Sequence, residues 1–143
     1  MYNLRKATMD DRETVFQLKK LTLYNETLEK RGKWDDDFER ARAAESFSAD
    51  YMFMIELNGA VIGSVGLEEC EGYYRLRQFF LRPEYQGQGI GSRVITDFIK
   101  QVAGHPMRLK VGKPQHLSIK FYRKHGFAVI EDEPTDFIME RQC

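Results

Sequence analysis

The spacing of hydrophobic residues predicts a short strand followed by two helices at the start of the chain. Residues 2–6 predict the strand, and residues 10–28 carry apolar side chains at the 3.6-residue period of an amphipathic helix. The apolar face of that helix is formed by Val15, Leu18, Leu21 and Leu28. Gly32 interrupts the pattern, and a second, heavily charged helix is expected from Asp35 or Asp36 to about Phe47, because aspartate is a favoured N-cap.

The middle of the chain predicts three strands. Residues 51–57 and 60–67 are mostly apolar, and they flank Asn58-Gly59, a dipeptide that favours a type I′ hairpin turn. An acidic loop is expected over residues 68–72, and residues 73–81 are rich in the aromatic and apolar side chains of a further strand. This part of the chain therefore predicts an antiparallel half of a sheet.

The second half of the chain alternates helices with strands. After three alternate glycines, a helix carries apolar residues at a clear 3.6-residue period. Its apolar face is formed by Ile90, Val94, Ile95, Phe98, Ile99 and Val102, and Gly104 ends it. A buried strand at 107–111 and a helix at 115–125, stopped by Gly126, precede two last strands at 127–130 and 137–139. The predicted order is β-α-α-β-β-β-α-β-α-β-β, in one domain of residues 1–143.

Composition narrows the function classes. The 143 residues contain 22 Lys plus Arg and 22 Asp plus Glu, so charge suggests neither nucleic-acid nor membrane-surface binding. No apolar run approaches the roughly 18 residues of a membrane span, and the N-terminus has no apolar core of a signal peptide. Cys70 and Cys143 are the only cysteines and form no C-x-x-C motif, which favours a reduced, cytoplasmic protein without a metal site.

The alternate glycines Gly87, Gly89 and Gly91 predict a phosphate site. They stand between a strand and a helix, where bare main-chain N–H groups meet the positive end of the helix dipole. The segment lacks the lysine motif of a nucleotide P-loop. It is also a poor dinucleotide fingerprint, because position 92 is serine and the residue about 20 positions on, Lys110, is basic.

The loop Gln86-x-x-Gly89-x-Gly91 resembles the Q/R-x-x-G-x-G/A loop of the GCN5-related N-acetyltransferase (GNAT) family, which holds the pyrophosphate of acetyl-CoA. A second segment, residues 118–127, is similar to the family's A-x-x-F/L-Y-x-x-x-G-F signature, and the order of elements matches over nearly the whole chain. The resemblance implies an α/β (α+β) fold with a mixed central sheet of about seven strands and about four helices. It implies that acetyl-CoA contacts Gln86, Gly87, Gln88, Gly89, Ile90, Gly91 and Ser92.

By the same resemblance, Tyr122 protonates the departing CoA thiolate. A phenol can serve as that donor, since its reference pKa of about 10 lies above the value of about 8.5 for a thiol. The alternative is that Tyr122 only packs beside Phe121. The family often has asparagine seven residues before this tyrosine; here Gln115 takes that position, where a contact with the pantetheine arm is expected.

The resemblance also implies that the fourth strand parts from the fifth. The main chain of Phe79, Phe80 and Leu81 is then free to bond the pantetheine amides, as in addition of an extra strand. Many relatives place a glutamate general base on the third or fourth strand, whereas this strand offers Gln78. Glu68, Glu69 and Glu71 could relay the amine proton through water, or they form a solvated acidic loop. A neutral incoming amine needs no base.

The acceptor side is predicted near Tyr24, Trp34, Asp35 and Asp36, in the segment that by resemblance covers the acceptor cleft. Carboxylates and an aromatic face both attract an amine cation, although a helix cap with a packing tryptophan is an equal alternative. The predicted function is transfer of acetyl from acetyl-CoA to a primary amine, on a small molecule or peptide, by direct attack in a ternary complex. The alternatives are a non-catalytic CoA-binding sensor and an unrelated α/β phosphate-binding enzyme, and a homodimer is left open.

Overall fold

Seven strands in the computed structural model form one mixed sheet, and the structure describes residues 1–142. The strands are β1 (Tyr2–Lys6), β2 (Met52–Leu57), β3 (Ala60–Cys70), β4 (Tyr73–Leu81), β5 (Met107–Gly112), β6 (Ala128–Asp132) and β7 (Asp136–Arg141). The helices are α1 (Arg12–Arg31), α2 (Asp36–Ser46), α3 (Ile90–Gln101) and α4 (His116–Lys124), with single 3-10 turns at Met9–Asp11 and Pro83–Tyr85. The spatial order is β1-β2-β3-β4-β5-β7-β6, and only the β4–β5 pair is parallel. The predicted fold class and element order are confirmed.

Several boundaries differ from the prediction. α1 continues to Arg31, where Gly32, at φ 83°, donates its N–H to the Leu28 carbonyl oxygen at 2.8 Å. The acidic loop predicted over 68–72 is wrong for its first half, because β3 extends to Cys70 and pairs there with Tyr73 across a tight turn. The last two strands are longer than predicted, because β7 pairs with both β5 and β6. Cys143 lies outside the described residues.

The apolar face of α3 packs on the sheet as its periodicity predicts. Val94, Ile95, Phe98 and Val102 are buried in one cluster, and Ile90 and Ile99 pack against its margin. Each such side chain contributes about 1.5–3 kcal/mol when it leaves water completely. The facing sheet residues include Ile55, Ile62, Val65, Leu76 and Met107. This core fixes the position at which α3 begins, and hence the position of the glycine loop.

The apolar face predicted for α1 is correct at its start and wrong at Leu21. Val15 and Leu18 are buried beside Met52, but Leu21 is 49% exposed. At 100° per residue, Leu21 lies on the side of the helix opposite Lys19 and Lys30. Beyond Leu18, the side of α1 that faces the sheet carries mostly polar residues, with Leu23 as an exception, and Leu21 points away from it.

The sheet opens between β4 and β5, which confirms the predicted parting of these strands. They pair only at Tyr74 with Met107 and at Arg75 with Arg108. On its other side, β4 contains a bulge, at which Gln78 adopts φ 50°. Gly63 is required beside this bulge, since a Cβ there would collide with the Phe80 carbonyl oxygen.

None of the helices in residues 1–142 combines the length and apolar character needed to cross a membrane.

Candidate active site

The glycine loop connects the end of β4 to the start of α3. Gly87 and Gly89 have φ values of 75° and 85°, a region that glycine adopts without a steric penalty. Arg93 donates the first N–H of the helix ladder, to the Gly89 carbonyl oxygen at 3.0 Å. Within residues 1–142, the six N–H groups of positions 87–92 donate no hydrogen bond. They remain available to an anion at the positive end of α3.

Two glutamine side chains brace this loop. Gln86 donates from Nε2 to the Leu81 carbonyl oxygen at 2.8 Å, and Gln88 donates from Nε2 to that of Glu84 at 2.8 Å. These contacts explain why glutamine suits both positions without any ligand. Direct contact of Gln86 or Gln88 with a cofactor stays a prediction.

A cavity of about 500 Å³, the loop cavity, lies between this loop, β4 and α4. Of the residues predicted to bind acetyl-CoA, it is lined by Phe79, Leu81, Gln86, Gly87, Gly89, Gly91 and Ser92. Leu117, Ser118, Phe121, Tyr122 and Lys124 of α4 form the opposite wall. The predicted residues Phe80, Gln88, Ile90 and Gln115 do not line this cavity, although Phe80 and Gln115 line a neighbouring one.

His125 contacts the first turn of α3, a role that the sequence did not predict. Its Nε2 lies 3.1 Å from the Ser92 hydroxyl oxygen, and its ring packs on that of Phe121 at 4.7 Å between centroids. Burial, with the charges of Lys124 and Arg141, lowers the pKa of this imidazole. The two partners are 33 positions apart, so no local pattern could have paired them.

Tyr122 lies at the junction of two cavities. It lines the loop cavity and also a second cavity of about 330 Å³ on the other side. Its ring makes edge contacts with Phe121 and Phe127, at 5.4 and 5.7 Å between centroids. Burial raises the pKa of the phenol, so the hydroxyl is protonated at neutral pH. Packing and a donor role are therefore compatible.

The second cavity, the basic cavity, is bounded by α1, α2, β4 and β5. Its cationic lining consists of Lys19, Lys30, Arg31, Arg42, Arg75, Arg77 and Lys110. Among residues 1–142, only Glu26 and Asp136 contribute carboxylates to this lining. Residues from four separate elements create this charge, which explains why the sequence did not predict it.

Gln78 lines the basic cavity from the bulge of β4. Its Oε1 atom is the one buried side-chain oxygen or nitrogen in residues 1–142 that lacks a hydrogen-bond partner. An unpaired buried acceptor costs about 1–3 kcal/mol unless a ligand or water satisfies it. By contrast, the three glutamates considered as proton relays, Glu68, Glu69 and Glu71, line neither cavity.

The residues predicted at the acceptor entrance have partners within the protein. Trp34 packs on Tyr24 at 5.4 Å between ring centroids and donates from Nε1 to Asp36 at 2.7 Å. Asp35 caps α2 by accepting the Phe38 N–H at 3.1 Å. Neither cavity is lined by Tyr24, Trp34 or Asp35, and their contact with an acceptor stays a prediction.

The parted strands, the glycine loop and the tyrosine on α4 are the features expected of an acyl-CoA-dependent transferase. Comparison with known proteins identifies the family. The family model described as Acetyltransferase (GNAT) family matches residues 14–127. This chain therefore belongs to the GNAT acetyltransferase family.

Individual relatives agree with this assignment. Spermidine N(1)-acetyltransferase of Thermoplasma acidophilum is 28% identical over 88 residues, covering 59% of this chain and 55% of the relative. The Escherichia coli K12 protein of the same name is 31% identical over 96 residues, covering 63% and 52%. The chain thus spans about half the length of these curated relatives. The crystal structure of PaiA N-acetyltransferase from T. acidophilum, in complex with coenzyme A, superposes with a TM-score of 0.75 at 22% identity, covering 100% of this chain and 99% of that one.

No group of three or more His, Cys, Asp or Glu side chains that could hold a metal ion occurs within residues 1–142.

Proposed function

We propose that this chain transfers the acetyl group of acetyl-CoA to a primary amine by direct attack in a ternary complex. The single observation that carries the proposal is the position of Tyr122, which faces the loop cavity on one side and the basic cavity on the other. Two substrates that meet at Tyr122 can react without a covalent enzyme intermediate. We further infer that residues 1–143 act as one domain; a cytoplasmic location and a homodimer stay predictions.

The loop cavity has the properties that coenzyme A requires. The free N–H groups of positions 87–92 suit the pyrophosphate, and Gly91 leaves room above the rings of Phe79 and Phe121. The unpaired edge of β4 beyond Arg75 suits the amide groups of the pantetheine arm. The CoA-bound T. acidophilum relative supports this choice of ligand through its shared fold.

The reaction follows from this placement. The amine nitrogen forms a bond to the thioester carbonyl carbon, and the carbon–sulfur bond breaks with its electron pair going to sulfur. Tyr122 donates a proton to that sulfur, the amine loses one proton to water, and water returns a proton to the Tyr122 phenolate, so the products are an amide and a free thiol. Because burial raises the pKa of Tyr122, it is a weak acid, and it donates most readily to a thiolate that is buried beside it.

Thiol release with a panel of amines tests the proposal. Acetyl-CoA is incubated with the protein and with small amines, polyamines, amino acids and a short peptide, and free CoA and the acetylated amine are both measured. The relatives named for spermidine make that polyamine one member of the panel. Equal amounts of thiol and acetylated amine support transfer. Tight binding of acetyl-CoA, measured by calorimetry, without turnover of any amine supports the non-catalytic sensor instead.

A further inference from the structure

The basic cavity concentrates positive charge in a chain whose charges balance overall. The sequence contains 22 basic and 22 acidic residues, yet the part of the chain that the structure describes lines this space with seven cationic side chains and only two carboxylates. If the proposed function is correct and CoA occupies the loop cavity, the basic cavity is the space that remains for the acceptor beside Tyr122. Its electrostatics then select the class of amine.

Neighbouring carboxylates neutralise only part of this charge. Lys30 pairs with Asp136 at 2.7 Å within the cavity. Glu39, which is fully buried below it, is shared between two cations, Lys19 at 3.2 Å and Arg31 at 3.0 Å. One negative charge therefore supports two positive ones, and this cluster remains cationic toward the cavity.

Two guanidinium groups are left without a carboxylate. Arg77 and Lys110 pair with Glu68 and Glu133, at 3.0 and 3.1 Å. Arg42 and Arg75 form no ion pair with any part of the chain that the structure describes.

A positive excess therefore remains after pairing. Counting every carboxylate in or paired to the lining, five oppose seven cations. A guanidinium stays protonated and presents a planar fork that matches a carboxylate or a phosphate.

The same cavity also contains a hydrogen-bond acceptor for the amine of the substrate, apart from its cationic residues. The Oε1 of Gln78 is buried and unpaired, and a rotation of the side-chain amide into this space would let it accept a hydrogen bond from an amine N–H; Gln78 and Tyr122 both line the cavity. A ligand with an amine at one end and an anion at the other would satisfy both the orphaned oxygen and the unpaired guanidinium groups. A volume of about 330 Å³ suits a small molecule.

We propose that the acceptor is a small amine that also carries a carboxylate or a phosphate group. Its amine lies beside Gln78 and Tyr122, and its anionic group lies toward Arg42 and Arg75. A polyamine would bring further cations into a space that already holds an excess of them, so this proposal departs from the polyamine that the relatives' names suggest.

Matched pairs of amines test the charge requirement. Thiol release is measured with O-phosphoethanolamine against ethanolamine, with β-alanine against β-alaninamide, and with spermidine. We expect kcat/KM for at least one amine with an anionic group to exceed that of its matched amine without one, and that of spermidine, by tenfold or more. The pair that shows the effect distinguishes phosphate from carboxylate. Added KCl should reduce the advantage, because ions screen exposed charges beyond about 8 Å at physiological ionic strength.

Substitutions locate the effect. Arg42→Gln and Arg75→Gln should each raise the KM of the favoured acceptor about tenfold, equivalent to about 1.4 kcal/mol, and leave the KM of acetyl-CoA unchanged. Arg12→Gln is the charge-matched control, since Arg12 is exposed at the start of α1 and lines neither cavity. Circular dichroism checks that each variant is folded. If Arg42→Gln does not fold, Arg42→Lys takes its place, because it keeps the charge but removes the planar guanidinium.

The outcomes separate this inference from the proposed function. The inference is overturned, and acetyl transfer left standing, if spermidine or an amine without an anionic group turns over at least as efficiently as both amines that carry one. Unchanged acceptor KM in both arginine variants overturns the assignment of Arg42 and Arg75. Binding of acetyl-CoA without turnover of any amine overturns both proposals.

Discussion

The hydroxyl of Ser64 donates a hydrogen bond of 2.9 Å to the main-chain carbonyl oxygen of Gln78, the one residue of β4 in the left-handed region. Ser64 is fully buried in β3, directly beside the register shift between the two strands. The contact holds a conformation that costs a non-glycine residue of order 1 kcal/mol. It thereby fixes where the Gln78 side chain meets the basic cavity.

Removal of this hydroxyl should destabilise the fold. Ser64→Ala leaves the Gln78 carbonyl without this donor, and the expected loss is about 1–2 kcal/mol in the free energy of unfolding, measured by urea denaturation. Ser118→Ala is the control and should change stability by less than about 0.5 kcal/mol, because its hydroxyl makes no hydrogen bond within residues 1–142. Equal stability of wild type and Ser64→Ala would show that the bulge does not depend on this contact.

Two substitutions at Gly91 should distinguish the effect of added volume from the effect of added negative charge on acetyl-CoA affinity. Gly91→Asp places a carboxylate at the start of α3, where we propose that the pyrophosphate binds, and acetyl-CoA affinity should fall at least tenfold, or about 1.4 kcal/mol, by calorimetry. Gly91→Ala is the matched control, since its Cβ would meet Phe121 and Phe79 only at 3.6–3.9 Å. The phosphate site would be misplaced if the folded aspartate variant bound acetyl-CoA as tightly as the alanine variant does.

Loss of the Tyr122 hydroxyl should slow chemistry more than binding. Tyr122→Phe keeps the contacts with Phe121 and Phe127 but removes the donor, so kcat should fall about 100-fold with the acetyl-CoA dissociation constant unchanged. Tyr74→Phe is the control, because Tyr74 lies in the paired part of β4 and lines neither cavity. Wild-type kcat in the Tyr122 variant would reduce Tyr122 to a packing residue.

The pH dependence of turnover follows from the same burial. Tyr122 acts in its protonated form, and burial raises its pKa, so its contribution is present at low pH and is lost only as pH rises above the ordinary value for tyrosine. The acceptor amine must lose its proton, so kcat/KM should rise with pH toward the amine's own pKa. A decline between about pH 7 and 9, below the reference tyrosine pKa, would contradict Tyr122 as the donor.

Acid stability should depend on Asp11. Its carboxylate accepts two hydrogen bonds from Arg5, both at 3.0 Å, and the Thr8 N–H at 2.8 Å. The Arg5 bonds in particular lower the pKa of Asp11, so its contribution is present above about pH 4, the unfolded value, and is lost as pH falls through the lower folded value. Asp11→Asn should cost about 1–2 kcal/mol at pH 7 and progressively less below pH 4, whereas Asp10→Asn, at the exposed neighbouring position, should cost little.

Local patterns predicted most of the fold. The Asn58-Gly59 turn has positive φ at both residues, 52° and 81°, as a type I′ hairpin requires. The single face of α3 was evident because its apolar period is unbroken. Gly126, at φ 93°, follows α4 as predicted. These features depend on residues close together in the sequence.

The remaining features depend on residues that only the fold brings together. Leu21 is exposed because it lies on the side of α1 opposite the basic cavity and faces solvent. The left-handed conformation of Gln78 has no local cause, since glutamine rarely adopts it, and it requires Ser64 from the neighbouring strand. The cationic residues of the basic cavity come from α1, α2, β4 and β5, which are far apart in the sequence. Because the chain's charges balance overall, the sequence alone does not predict this local excess.

Because of the gap between β4 and β5, the stability of the folded protein should depend in part on whether a substrate is bound there. Within the sheet, only two residue pairs join the four-stranded half (β1–β4) to the three-stranded half (β5–β7). An extended substrate bound along the unpaired edge of β4 would add further contacts between these halves. At a hundred times its dissociation constant, a ligand that binds only the folded state adds about 2.7 kcal/mol to stability. Melting temperature and amide hydrogen exchange along β4 would then report substrate before any product is formed.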